Sequence, residues 1–185
     1  DYHETFSSAL RSTSLRLLAC LAARNDLKLH RWDFVSAYLQ GALEPDEVVY
    51  CLAPPVYEKH DSDGNELICK VVKPIYGMAQ AGRRWQRGLF AWLKEFGFQQ
   101  SQHDNCVFHC EREMQTPDGP RLEKLLLGVY VDDLATGYKY GDKHSLYRLF
   151  TTELQKRWKV EDEGALSDLL GIEFNTSDGV VELKQ

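Results

Sequence analysis

Residues Leu125-Leu126-Leu127-Gly128-Val129-Tyr130-Val131 form an apolar run rich in strand formers, and the run stops at two adjacent carboxylates, Asp132 and Asp133. Lys124 to Val131 has strand composition and Leu134 to Tyr138 can return beside it, which predicts a hairpin with Asp132 and Asp133 in its tight turn. Two like charges so placed repel each other unless a cation shares the site. A plain Asp-containing turn is the alternative. A third strand-end carboxylate, Asp33, closes the apolar segment Leu27 to Phe34. Were the three to converge, they would suit a hard divalent cation such as Mg²⁺, which takes carboxylate oxygens together with substrate phosphates. Two such ions about 3.5–4 Å apart clamp the attacking and leaving oxygens of an in-line phosphoryl transfer.

Other metal chemistry is poorly served. Asp61-Ser62-Asp63-Gly64-Asn65 departs from calcium-loop spacing and no bidentate Glu follows in place, so it reads as a hairpin tip. Cys106 and Cys110 share a predicted strand face near His103 and His109, but no second Cys or His pair completes a four-ligand zinc set. Cys20, Cys51, Cys69, Cys106 and Cys110 are odd in number and scattered, which predicts reduced thiols in an intracellular compartment. A net charge of −6 argues against indiscriminate polyanion binding. From Leu67 to Lys94, however, there is no acidic residue, and Lys70, Lys73, Arg83, Arg84, Arg87 and Lys94 are interleaved with Tyr76, Trp85, Phe90 and Trp92. Such a stretch suits a nucleic-acid or nucleotide phosphate surface, with a solvated helix face as the alternative.

The elements that must position these groups are legible in outline. Apolar content of 43 % and charge of 27 % are ordinary for a globular chain, and no apolar run approaches the ~18 residues of a membrane span. Ser7 to Arg24 is predicted as a helix with Leu10, Leu17, Leu18, Leu21 and Ala22 on one face, stopped by Asn25-Asp26. Strands are expected at Val48 to Leu52, Leu67 to Val72 and Asn105 to Glu111. A helix from Ala79 to Phe96 ends at Gly97, and another from His144 to Trp158 turns Leu146, Leu149, Phe150, Leu154 and Trp158 inward. The chain closes with a hairpin, Leu169 to Phe174 and Val180 to Leu183, around a turn at Ser177-Asp178-Gly179. Leaving aside the 41–84 insert, the order strand-helix-strand-strand-helix-strand predicts an α+β split βαβ, ferredoxin-like antiparallel sheet with helices on one face.

Four ordered blocks carry a resemblance. Trp32-Asp33-Phe34-Val35-Ser36-Ala37-Tyr38-Leu39-Gln40-Gly41, Lys73 to Trp85 with its Tyr76-Gly77-Met78-Ala79-Gln80 centre, Tyr130-Val131-Asp132-Asp133 and Leu170-Gly171-Ile172-Glu173 are similar to successive blocks of copia-type retrotransposon reverse transcriptases. The opening Asp1-Tyr2-His3-Glu4-Thr5-Phe6 also resembles that family. The resemblance covers essentially the whole chain. It implies a right-hand polymerase palm at about 9–40 and 85–185 and a small β-rich, fingers-like insert at about 41–84. It also implies a place in a longer Pol polyprotein, with thumb, connection and RNase H outside this chain.

Carried onto this chain, the resemblance implies that Asp33 and Asp132 bridge two Mg²⁺ ions, with Mn²⁺ as a substitute, and that Asp133 is the more peripheral acid. Tyr38 resembles the steric gate against a ribose 2′-OH, Gln80 and Phe34 would contact the incoming dNTP, and Tyr130 and Val131 would lie at the primer end. Leu170 and Gly171 resemble a primer-holding hairpin, and Arg83 and Arg84 are candidates for template or nucleotide phosphate. The implied partners are an RNA template, a DNA primer and dNTP, with integrase and RNase H of the same polyprotein and no membrane. The implied location is the cytoplasm, in a virus-like particle, or the nucleus. Two departures stand out: Phe34 replaces the usual Val after the first Asp, and Met78-Ala79 replaces Leu-Lys, removing one phosphate contact. A decayed or domesticated palm acting as a nucleic-acid-binding or structural module is the competing reading, and retention of all three acids weighs against it. A metal-dependent phosphohydrolase lacks a His-rich ligand set here.

Overall fold

The computed structural model describes residues 6–177 and 180–185. In chain order the elements are α1 Ser12–Asn25, β1 Lys28–Phe34, α2 Ala37–Gln40, β2 Tyr50–Leu52, β3 Ile68–Lys70, α3 Ala81–Phe96, β4 Gln99–Gln100, β5 Val107–Thr116, β6 Gly119–Tyr130, β7 Asp133–Tyr138, α4 Leu146–Arg157, β8 Val160–Ala165, β9 Asp168–Leu169, β10 Ile172–Ser177 and β11 Val180–Lys184. Six strands form the main sheet in the order β4-β5-β6-β7-β1-β8, every neighbour antiparallel. β9 to β11 make a second, three-stranded sheet, and β2 with β3 a separate two-stranded one.

The period of two along β6 decides what covers each face. Leu125, Leu127 and Val129 are buried on one side, in register with Thr136 and Leu134 of β7, and Leu134 in turn lies opposite Trp32 of β1. Helices α3 and α4 cover this side. Trp85 meets Phe34 edge-on at 4.8 Å, Phe90 meets Phe108 at 4.9 Å, and the Trp32 indole donates to the Tyr147 hydroxyl at 3.3 Å. Fully buried aromatics of this kind each contribute about 1.5–3 kcal/mol of transfer free energy, so this face dominates the core.

The other side, with Leu126, Gly128, Ala135 and Gly137, receives α1. The approach is so close that a Cβ on Gly128 would lie 2.8 Å from Leu18 Cδ1. Helices therefore lie on both faces, which corrects the expectation of one.

Other boundaries also move. Helix α1 begins at Ser12, not Ser7, because Asp104 accepts from the Arg11 N–H at 3.1 Å and from the Ser14 hydroxyl at 2.6 Å, fixing the first turn. Leu10 is buried ahead of the helix, whereas Leu17, expected inside, is 59 % exposed. On α4, Leu149 likewise faces out and Tyr147 faces in. Strands β5 and β6 run on to a tip where Thr116 pairs with Gly119, well past the expected ends. The backbone ladder there continues beyond the part that has a buried face, so hydrophobic periodicity could not mark it.

Helix α3 does end at Gly97, whose φ of +117° suits glycine. The 41–84 segment is less β-rich than expected: it holds the three-residue strands β2 and β3, one isolated bridge between His60 and Glu66 and, from Ala81, the first turn of α3, and the rest is turns and irregular chain. At its tip, the Asp61 carboxylate accepts from the Asp63 and Asn65 N–H groups at 2.9 Å, a turn held by its own side chain. The expected turn residues Asp178 and Gly179, and the opening 1–5, lie outside the described residues.

Candidate active site

Strands β1 and β7 are neighbours, and their register sets Asp33 directly opposite Asp133. Beyond the last rung, the Phe34 N–H donates to the Asp132 carbonyl at 2.7 Å. Acid-bearing positions from distant parts of the chain thus become neighbours at one end of the β1–β7 pair. The turn differs from expectation in one respect. Tyr130 pairs with Asp133, so its two central residues are Val131 and Asp132, and Asp133 is the first residue of β7.

Val131 has φ +55°. A β-branched residue there is a genuine outlier, costing of order 1–2 kcal/mol. Two contacts hold the turn against that strain: the Phe34 N–H already described, and the Trp85 indole N–H, which donates to the Val131 carbonyl at 2.8 Å. Trp85 is itself packed between Phe34 and Trp158. The core of α3 is therefore wired to the turn that carries Asp132.

The electrostatics are those of crowded anions. Burial and then the Asp132 and Asp133 carboxylates, with Glu163 and Glu161 behind them, raise the Asp33 carboxyl above its ordinary range. Burial also raises Asp133, more than the Arg31 guanidinium beside it can offset. Arg31 donates through Nε to Asp133 at 2.8 Å and reaches Asp168 of β9 at 3.2 Å. Burial, then Asp132, Tyr38 and Asp33, raises the Tyr76 phenol as well, which marks Tyr76 as a near neighbour of the acids.

Among the described residues no three His, Cys, Asp or Glu side chains are gathered into a ready metal-ligand cluster, and Asp133 is turned toward Arg31. The donor set nonetheless fits Mg²⁺: hard carboxylate oxygens whose mutual repulsion a divalent cation would relieve.

The other predicted positions divide. Tyr38, on α2, stacks on Tyr76 with ring centroids 4.5 Å apart. Tyr130 and Val131 flank the acids. Leu170 and Gly171, with φ of +55° and +69°, form a two-residue turn between β9 and β10, and Arg31 ties the base of that hairpin to Asp133. Phe34 is not at a nucleotide surface: it is 1 % exposed, in the core with Trp85 and Trp158.

Gln80 and Arg84 are engaged with the acidic turn of the insert. Gln80 donates to Glu47 at 2.7 Å, Arg84 reaches Glu47 and Glu44 at 2.8 Å, and Arg87 also pairs with Glu44 at 2.6 Å. Arg84 and Arg87 are thus paired within the chain, whereas Lys70, Lys73 and Lys94 of the same stretch are exposed. Arg83 lies half-buried on the same helix. Arg31, Tyr76, Glu47 and the Trp85 indole were not legible as site residues. Their partners are remote in sequence, and only the alternation along β1, which puts Arg31 on the Asp33 side, hinted at one of them.

The register defines an antiparallel α+β domain with Asp33 opposite Asp133 beside a hairpin turn that contains Asp132, and the chain belongs to the reverse transcriptase (RNA-dependent DNA polymerase) family, whose model matches residues 1–185. Its relatives include the retrovirus-related Pol polyproteins from transposons RE1 and RE2 of Arabidopsis thaliana, 34 % and 33 % identical over 173 residues and 94 % of this chain. The polyprotein from transposon TNT 1-94 of Nicotiana tabacum is 28 % identical over 174 residues. The chain spans 11–12 % of the length of these relatives. No solved structure matches it. The copia-type resemblance is thereby borne out, and no helix among the described residues is long and apolar enough to cross a membrane.

Proposed function

We propose that this chain is the RNA-directed DNA polymerase domain of a copia-type element, adding dNTP to a primer 3′-OH by two-metal nucleotidyl transfer. Its palm comprises about 9–40 and 85–185, and 41–84 is the fingers-like insert. The observation that supports this reading is the register that sets Asp33 against Asp133 beside the Val131-Asp132 turn.

Asp33 and Asp132 would hold two Mg²⁺ ions, or Mn²⁺ in their place, with Asp133 to one side in its pair with Arg31. Once bound, the ions supply charge stabilisation at the α-phosphate. Tyr38, backed by Tyr76, bars the ribose 2′-OH. Gln80, held by Glu47, faces the nucleotide. Tyr130, Val131 and the Leu170-Gly171 turn support the primer. Arg83 and Arg84 serve template or nucleotide phosphate, Arg84 by exchanging its carboxylate partners for the substrate. The template is RNA, the location intracellular, and integrase and RNase H act from elsewhere in the same polyprotein.

The test is primer extension on poly(A)/oligo(dT) with Mg²⁺, with Mn²⁺ binding measured in parallel. Asp132→Asn is expected to lower extension by more than about a hundredfold and to weaken Mn²⁺ binding. Extension and binding unchanged in that variant would remove the assigned site. Duplex binding with no extension by either form, and no metal binding, would favour a non-catalytic module.

A further inference from the structure

The insert carries two cysteines that the polymerase reading leaves without a task. In the β2–β3 hairpin, Cys51 and Cys69 are direct cross-strand partners. Both thiols are free, Cys69 exposed and Cys51 partly so. Directly opposed residues in an antiparallel pair have Cα atoms about 4.5–5.5 Å apart, inside the roughly 4.4–6.8 Å that a disulfide spans. Their side chains leave the same face of the hairpin, because opposed residues always do.

The remaining cysteines are unlike them. Cys106 and Cys110 are buried, and burial, with Asp104 nearby, pushes the Cys106 thiol up to about 12. Cys20 is exposed on α1 and has no cysteine opposite it in a strand pair. The hairpin is also thinly held. Three register pairs join it, no third strand among the described residues adds to it, and Tyr50, Leu52 and Ile68 are more than half exposed. A covalent cross-link would consequently change its order more than it would that of any strand in the main sheet.

We infer that Cys51 and Cys69 form a reversible dithiol switch, closing to a cross-strand disulfide by exchange with a low-molecular-weight disulfide such as oxidised glutathione. One cysteine thiolate attacks the small disulfide, forming a mixed disulfide and releasing one small thiol. The opposed thiolate then attacks the mixed-disulfide sulfur on the protein, forming the Cys51–Cys69 bond and releasing the second small thiol. The two protein thiols supply both electrons, and their protons leave on the two released thiols. An exposed bond of this kind is of the labile class that reducing conditions reopen.

The full chain is incubated with oxidised glutathione, unreacted thiols are trapped with N-ethylmaleimide, and peptides are mapped by mass spectrometry. The expected result is an intramolecular Cys51–Cys69 cross-link reopened by reduced glutathione, with Cys106 and Cys110 unreacted in the native chain. The 53–67 connection should also resist limited proteolysis better when oxidised. In Cys51→Ser, Cys69 should instead retain glutathione as a stable mixed disulfide. Separate glutathione adducts on both cysteines of the unmodified chain, cross-links between chains, or unreacted Cys51 and Cys69 would each overturn the proposal. None of these readouts depends on polymerase activity.

Discussion

At Trp85 one side chain has two duties: its ring fills the core, and its indole N–H fixes the Val131 carbonyl in a turn that a β-branched residue disfavours. Trp85→Phe keeps most of the packing against Phe34 and removes the donor. It is expected to destabilise the chain by about 1–3 kcal/mol, the cost of leaving a buried polar group unpaired, and to lower kcat more than KM in primer extension.

Asp33 is the second case. Its carboxyl is raised above the ordinary aspartate range by burial and its acidic neighbours. A raised folded-state pKa means that ionised Asp33 opposes folding, an effect present above the raised pKa and lost as pH falls through it. Asp33→Asn should therefore raise the melting temperature of the metal-free chain at neutral pH while abolishing extension, and the gain should vanish on acidification. Divalent-ion affinity of the unaltered chain should weaken over the same interval, which isothermal titration at a series of pH values checks.

The hairpin acids and the strand ending at Asp33 were legible because a period of two and a charged terminus are both local signals. Which two residues form the turn was not legible, since that depends on the Tyr130–Asp133 rung.

Between elements, the acidic turn Glu44 to Glu47 docks the insert onto α3 through Gln80 and Arg84. Burial works to raise Glu47, but the Gln80 amide, the Glu44 N–H and Arg84 outweigh it and hold the carboxylate below its usual range. Glu47→Ala is expected to cost about 1–3 kcal/mol and to speed amide exchange across 42–52 while leaving β5 to β7 protected, as hydrogen exchange would record. Composition over Leu67 to Lys94 did not reveal the pairing of Arg84 and Arg87 because Glu44 and Glu47 lie more than thirty positions away. Helix α3 itself was legible to within two residues, its apolar stripe and terminal Gly97 being local. The start of α1 was not, because its first turn is held by Asp104, some ninety residues downstream.

For the molecule as a whole, Asp104 joins the amino-terminal segment to the main sheet. Burial raises its carboxyl, but the Ser14 hydroxyl and the Cys106 and Arg11 N–H groups together bring it below the ordinary range. A depressed folded-state pKa contributes stability that is complete above the unfolded value and disappears as pH falls through the folded one. Asp104→Ala should cost about 1–3 kcal/mol at neutral pH, and the gap between the two chains should narrow below about pH 4 in urea titrations. The antiparallel α+β class was legible in the order of elements, but the placing of α1 opposite α3 and α4 was not. Gly128, which admits it, looks from sequence like an interruption in a strand.

The rung between Asp33 and Asp133 also limits what the coding sequence tolerates. Adding one codon within β6 would turn every following side chain of the hairpin to the opposite face, driving Leu134 against α1, where the sheet offers room only for Gly128, Ala135 and Gly137, and a carboxylate into the aromatic core. Substitutions along this hairpin can be absorbed one at a time. Single-residue insertions cannot, whereas the Pro117-Asp118 tip, far from any buried face, can lengthen freely. Length variation among descendants of this element should accordingly collect at that tip and spare the stretch from Leu125 to Tyr138.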